Sequence, residues 1–180
     1  MSFPCVETER SVVTPLNKSF ISEEYVAWLN DPEVCIYLES GGNYTMLDLQ
    51  EYVEQCIEKK VLFWAITLKE NGKHIGNIKI DPISKRHGTG EYGILIGDRN
   101  TWGKGYAAEA TIGILKYCFQ ELGLRKITLE VIKDNNNAVK LYKKLGFQTE
   151  GDLKEHGFYN GKLCDALRMA VFNTAFLHGK

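Results

Sequence analysis

The sequence lacks several features whose presence would decide its class. No apolar run approaches the ~18 residues that cross a bilayer, so no membrane-spanning helix is expected. The opening MSFPCVETER has no apolar core of a signal peptide, and the chain reads as cytoplasmic. The five cysteines, at 5, 35, 56, 118 and 164, are odd in number and form no CxxC pair. That spacing argues against a zinc framework and suits a reducing compartment, so no metal site is expected. Positive charge is not in excess either: the formal net is −1, which gives no support to nucleic-acid binding. No repeat, low-complexity tract or linker interrupts residues 1–180. A chain of this length, 44% hydrophobic, buries about 70% of its unfolded surface as a single domain.

What charge there is falls unevenly. Residues 1–60 carry eleven acidic and four basic side chains, a net of −7, and the remainder carries twelve and eighteen, a net of +6. Such a division suits a cationic amine on one side and a polyanionic cofactor on the other; solvated helix faces would give the same counts.

Periodicity supplies the elements. A first strand covers residues 9–14 and ends at Pro15. Ser22 caps a short helix with Tyr25, Val26, Trp28 and Leu29 on its apolar face, stopped by Asn30-Asp31-Pro32. Thr45 opens a second helix carrying Leu49, Tyr52, Val53, Cys56 and Ile57 at helical spacing, and Gly41-Gly42-Asn43 forms the loop between the two. Strands at 63–68 and 74–80 flank Asn71-Gly72, a pair suited to a type I′ hairpin turn, and 81–90 reads as a polar loop. Ala108, Ile112, Leu115, Phe119 and Leu122 recur as one face of a long helix that Gly123 ends. A strand at 126–132 follows, and strand, long helix, strand implies a parallel pair with a right-handed crossover. A shorter helix near 136–145 is capped by Gly146, and strands at 147–153 and 163–172 close the chain around Asn160-Gly161.

The densest pattern is GEYGILIG, DRNT, WGKG and the helix opening YAAEA, residues 90–110. A strand that runs through glycines into a helix N-terminus presents backbone N–H groups with no intrahelical partner, at the positive end of the helix dipole. A phosphate or pyrophosphate over residues 103–107 fits that geometry, and glycine lets the ligand approach the backbone. A Walker loop is excluded by spacing, since Gly97 stands too far before Gly103-Lys104 and Gly105 takes the Ser/Thr place. A dinucleotide G-x-G-x-x-A pattern fits Gly103, Gly105 and Ala108, with Glu130 near the acidic position, but it comes late in the chain rather than in an early βαβ unit. The third reading is the pyrophosphate loop of acyl-CoA N-acyltransferases, Gln/Arg-x-x-Gly-x-Gly/Ala, here Asn100-Thr101-Trp102-Gly103-Lys104-Gly105.

Downstream, NNNAVKLYKKLGF at 135–147 resembles the N-x-x-A-x-x-x-Y-x-x-x-G-F segment of the GNAT superfamily. With Glu91 and WGKGYAAEA it is similar to the RimJ/RimL-type branch, loosely from Glu9 to Phe172. Asn100 departs from the pattern, where Gln or Arg is usual. The resemblance implies an α/β GNAT fold: a mixed, mostly antiparallel seven-stranded sheet with a splayed parallel pair and about four helices. It implies acetyl-CoA as co-substrate, bound by Leu95, Ile96, Gly97, Asn100, Gly103, Lys104, Gly105, Tyr106, Ala107 and Asn135. It further implies Glu91 as the base, directly or through water, and Tyr142 as the acid that assists the leaving thiolate. The first two helices and their loop would line the acceptor site, with Trp28, Asn30, Tyr37 and Glu39 as candidates. Each residue also has a plainer role: Glu91 as a surface strand carboxylate, Tyr142 as an aromatic anchor, Asn135 as an N-cap. Cys118, mid-helix among apolar residues, reads as a structural thiol, so the amine attacks directly.

The acceptor is a primary amine. An α-amine has pKa ~7.7 and a lysine amine ~10.4, so an enzyme with one candidate base is better matched to the former. A protein or peptide N-terminus is therefore expected, with an amino-sugar nucleotide or a polyamine as the alternative. A non-catalytic acyl-CoA sensor on the same fold is the rival from another class. The chain would act as a monomer or homodimer.

Overall fold

Capping residues, hydrogen-bond ladders and buried apolar stripes define eight strands and five α-helices among residues 3–38, 42–159 and 161–174, the part that the computed structural model describes. The chain divides into two compact units, Met1–Asp81 with Gly93–Gly113, and Pro82–Tyr92 with Ile114–Lys180.

The first unit holds β1 (Val6–Glu7), β2 (Ser11–Pro15), α1 (Glu23–Asn30), α2 (Pro32–Cys35), α3 (Met46–Glu58) and β3 (Leu62–Leu68). It also holds most of β4 (His74–Ser84), the end of β5 (Thr89–Ile96) and the start of α4 (Tyr106–Gln120). Its strands lie in the order β1-β2-β3-β4-β5, and the first three pairings are antiparallel. The Ser22 hydroxyl accepts from Tyr25 N–H to start α1, and Thr45 with Asp48 forms a capping box at α3. The extra helix comes from Pro32. The sequence reads Asn30-Asp31-Pro32 as a stop, but Asp31 caps a new turn and Pro32 takes its first position, where a missing N–H costs nothing. The extra strand, β1, has two residues, too few to show alternation. Leu16, Tyr25, Trp28, Leu29, Leu49 and Val53 form the core of this unit with Phe63 and Ala65 of β3.

The β3–β4 hairpin forms where expected, but not through a two-residue turn. Five residues, 69–73, connect the strands; Gly72 alone of Asn71-Gly72 takes positive φ, +70°, and the Asn71 side chain instead accepts from Lys73 N–H. Beyond Ile80 the ladder continues to Ser84, so the expected polar loop shrinks to residues 85–88. Exposed polar strand residues carry no apolar alternation to announce them.

The second unit holds the end of β4, the start of β5, the end of α4, β6 (Lys126–Ile132), α5 (Asn136–Lys144), β7 (Gln148–Tyr159) and β8 (Lys162–Phe172). Its order is β5-β6-β8-β7, with β6–β8 and β8–β7 antiparallel. β5 and β6 are parallel over Thr89↔Lys126 to Glu91↔Thr128; the register ends there although both strands continue. Gly146, at φ +89°, ends α5. The buried side of α4 differs from the periodic reading. Ala110, Thr111, Ile114, Leu115 and Cys118 are buried, whereas Ile112 is 57% exposed. Of the expected stripe Leu115 is buried, Ala108 and Phe119 are half-buried and Ile112 and Leu122 are exposed, so the buried side is rotated toward Ala110, Ile114 and Cys118.

Candidate active site

The first unit carries the candidate phosphate loop. β5 ends at Ile96, and the chain turns through Asp98, whose carboxylate accepts from Asn100 N–H to cap a short 3-10 turn, Arg99–Thr101. Asp98 is buried, and its Oδ2 accepts from Lys73 Nζ at 2.7 Å. Burial alone would raise this carboxyl; the hydrogen bonds from Lys73 and from the Asn100 backbone outweigh it and hold Asp98 below the usual carboxylate range. Thr101 N–H closes the turn onto Asp98 O at 2.9 Å, and Trp102 Nε1 donates to Ile96 O at 2.9 Å, tying the loop back to the strand.

Gly103 and Gly105 then take φ of +72° and +88°, in the left-handed region that glycine occupies without a Cβ clash. The backbone bond at the start of α4 runs from Glu109 N–H to Gly105 O at 3.1 Å. Among the described residues, the N–H groups of Gly103, Gly105, Tyr106 and Ala107 donate to no protein acceptor. A Cβ on Gly103 would meet nothing within 4 Å, so the loop faces open space. Lys104 and Arg10 place two cationic side chains on this loop. The residues fit a pyrophosphate: outward donors at a helix N-terminus, cations beside them, and room above.

The remaining first-unit candidates have structural duties that are visible in their contacts. Trp28 is 6% exposed, and its indole lies so close over Gly97 that a Cβ there would meet Trp28 Cδ2 at 2.0 Å. Gly97 N–H and Asp98 N–H both donate to Ile75 O. Leu95 is half-buried and packs on the core. Asn100 turns its amide back onto Asp98 Oδ1 at 3.1 Å. Asn30 holds Tyr44 by two bonds, donating from Nδ2 to Tyr44 O at 2.8 Å and accepting Tyr44 N–H at 2.7 Å, which pins the loop before α3 to α1. Tyr37 is half-buried in the turn after α2; Glu39 lies outside the described residues. Nearby, Gly42, Asn43, Tyr44, Asp48, Glu51 and Tyr52, with Gln55, line a hollow of about 380 Å³.

The second unit carries the acid–base candidates. Glu91 lies on β5 beside Thr128 of β6, with its side chain 36% exposed, and accepts from Arg168 Nη2 at 3.1 Å. Arg168, on β8 opposite Glu130, also donates Nη1 to Glu130 at 2.7 Å and Nη2 to Thr128 Oγ1 at 3.1 Å. No motif in the sequence singles out Arg168; a lone cation in an apolar strand, LCDALRMAVF, is the signal that points to it. Tyr142 is 8% exposed, its ring 5.8 Å from Tyr92 and 5.7 Å from Phe147. Burial pushes its phenol up to about 12. Among the described residues, its hydroxyl has no hydrogen-bond partner. Asn135 caps α5, its side chain accepting from Ala138 N–H at 3.3 Å. Cys118 is fully buried, and burial pushes its thiol up to about 12.

The model of the acetyltransferase (GNAT) domain matches residues 13–148. This chain belongs to the GNAT acetyltransferase family. It is an acyl-CoA N-acyltransferase of mixed α/β fold, and acetyl-CoA is its co-substrate. Over 151 residues the chain is 28% identical to an uncharacterized N-acetyltransferase, p20, of Bacillus licheniformis, covering 82% of this chain and 84% of that protein. It is 36% identical over 107 residues to the spermidine N(1)-acetyltransferase of Escherichia coli K12, covering 59% of this chain and 57% of that protein. Among solved structures, the spermidine N-acetyltransferase of Vibrio cholerae in complex with CoA and spermine aligns at TM-score 0.85 with 26% identity, covering 94% of this chain and 99% of that one. No helix among the described residues of this acetyltransferase is long and apolar enough to cross a membrane.

Proposed function

We propose that this acetyltransferase transfers acetyl from acetyl-CoA directly to a primary amine of a small polycation, of the polyamine class. The observation that carries the reading is the hollow at α3, lined by Asp48, Glu51, Tyr44 and Tyr52. Hydrogen bonds from Thr45 hold Asp48 below the usual carboxylate range, so it is charged at neutral pH. Acidic and aromatic side chains together receive alkylammonium groups well. The acidic first third of the chain adds a favourable field, and the similarity to spermidine acetyltransferases of Escherichia coli and Vibrio cholerae supports the same class.

Acetyl-CoA supplies an acetyl group as a thioester. The chain's own residues do the rest. The N–H groups of 103–107 hold the pyrophosphate, and Asn135 a further backbone group of the co-substrate. Glu91, directly or through water, takes the proton that the ammonium must lose before its lone pair can attack. As the new C–N bond forms and the C–S bond breaks, the Tyr142 hydroxyl donates to the departing sulfur. Cys118 takes no part, since its buried thiol is protonated at working pH. The odd number of cysteines and the lack of a CxxC pair in the sequence support a reducing, cytoplasmic setting.

The RimJ/RimL-like reading, with a protein or peptide α-amine as acceptor, has chemistry in its favour. One candidate carboxylate, Glu91, suits an amine of pKa ~7.7 better than one near 10. Release of free CoA thiol across a panel of spermidine, spermine, an amino-sugar nucleotide, free amino acids and short peptides separates the two. The polyamines turn over fastest under the proposal. Faster turnover of unblocked peptides would replace it with the α-amine reading, and acetyl-CoA binding without turnover of any amine would favour a sensor.

A further inference from the structure

We propose that Arg10 is a further ligand of the acyl-CoA pyrophosphate, supplying the cation that position 100 lacks. The proposal rests on residues 103–107 being the cradle. The first position of the loop pattern, usually Gln or Arg, is Asn100 here, and its amide is committed to Asp98 Oδ1 at 3.1 Å. A short amide held that way has no reach toward a phosphate. The loop nevertheless has a guanidinium beside it, brought from the turn between β1 and β2.

Arg10 is fixed by four contacts. Its backbone N–H donates to Glu109 Oε1 at 2.6 Å and its Nε to Glu109 Oε2 at 2.8 Å. Nη1 donates to Lys104 O at 3.0 Å, and the guanidinium carbon lies 4.4 Å over the Tyr106 ring. These contacts take Nε, Nη1 and one face of the guanidinium, and leave Nη2. Nη2 stands beside the loop, 3.4 Å from where a Cβ on Gly105 would be. Among the described residues Nη2 has no acceptor, and the side chain is 44% exposed, so a ligand can reach it. Glu109 is the anchor. Burial would raise its carboxyl, but hydrogen bonds from Thr8 and Arg10 outweigh that and keep it charged. The result is a pre-set N–H donor with positive charge beside the outward N–H groups of 103–107, and a guanidinium edge matches phosphate oxygens in shape as well as charge. Arg10 is also one of only four basic residues in the first sixty, which marks it within an otherwise acidic segment.

Calorimetric titration of acetyl-CoA into wild type, Arg10→Gln, Arg10→Lys and Glu109→Gln tests this, with thermal unfolding to check that each variant folds. Arg10→Gln should raise the acetyl-CoA Kd about tenfold and flatten its salt dependence, in line with loss of one charge-assisted hydrogen bond. Arg10→Lys should lose less, and Glu109→Gln, which keeps the guanidinium, less than Arg10→Gln. The same loss should appear with acetyl-dephospho-CoA, which retains the pyrophosphate and lacks the 3′-phosphate. Wild-type affinity in Arg10→Gln overturns the proposal, as does equal weakening by Arg10→Gln and Glu109→Gln with unchanged salt dependence, the mark of a purely structural clamp. A loss that vanishes with the dephospho compound refutes the pyrophosphate assignment. If Gly105→Val, folded, binds acetyl-CoA as wild type does, the cradle itself is misplaced and Arg10 falls with it.

Discussion

Removing one oxygen from Tyr142 tests the proposal that its hydroxyl assists the leaving thiolate. In Tyr142→Phe the ring keeps its contacts with Tyr92 and Phe147, and no protein hydrogen bond is broken among the described residues. Unfolding should therefore be almost unchanged. The phenol at about 12 faces a leaving thiol of ordinary pKa ~8.5, a gap of about 3.5 pKa units, or ~4.8 kcal/mol against complete proton transfer. In the proposed role the hydroxyl therefore acts as a hydrogen-bond donor while charge builds on sulfur, and not as a donor of the proton outright. The kcat should fall by about 10²-fold, the lower end of the general-acid range, with acetyl-CoA Kd unchanged. The pH dependence follows in sign. The donor is competent while protonated, so no loss of kcat assignable to Tyr142 should appear between pH 8 and about 10. Steady-state rates on the best acceptor, for wild type and variant over that range, measure both. A wild-type kcat in Tyr142→Phe, or an alkaline decline below pH 10 that disappears in the variant, would refute the reasoning.

Three further outcomes follow from the contacts. Glu91→Gln should lower kcat by about 10²-fold or more without changing acetyl-CoA Kd, and Arg168→Gln should lower it less and add little in the Glu91→Gln background, because Arg168 acts by holding the carboxylate; steady-state kinetics of the double-mutant cycle checks both. Gly97→Ala must displace the Trp28 indole from 2.0 Å and should destabilise the protein by at least about 1–3 kcal/mol, read from the urea midpoint. Asp98 has a depressed folded pKa, so its stabilising effect is present above its unfolded value near ~3.9 and is lost as pH falls through the folded value; Asp98→Asn should flatten the stability profile below pH 4 in acid-unfolding measurements.

Local chemistry made much of this architecture readable. Ser22, Thr45, Gly123 and Gly146 bound helices through caps and positive φ, effects that a few neighbouring residues decide. The glycines of the loop, Gly103 and Gly105, take the positive φ that their residue type favours, and that too is a local effect. What eluded the sequence depended on pairing at a distance. β1 and the last residues of β4 exist because a neighbouring strand offers hydrogen bonds, and the buried side of α4 is set by what packs against it and not by where its bulky apolar residues recur. The same holds for side chains. Arg10 and Arg168 stand far along the chain from Glu109 and Glu91, so nothing near either arginine announces its carboxylate partner. Trp28 and Asn30 could be picked out as acceptor candidates, but not their packing on Gly97 and bonding to Tyr44.

The central claim is direct acetyl transfer from acetyl-CoA to the primary amine of a small polycation. A single reaction containing acetyl-CoA, spermidine and a short peptide with a free N-terminus, sampled at low conversion by mass spectrometry, tests it most directly. The account predicts monoacetylated spermidine as the dominant product, formed in step with free CoA thiol and without acetylated enzyme. Preferential acetylation of the peptide, or an acetyl group retained on Cys118, would contradict it.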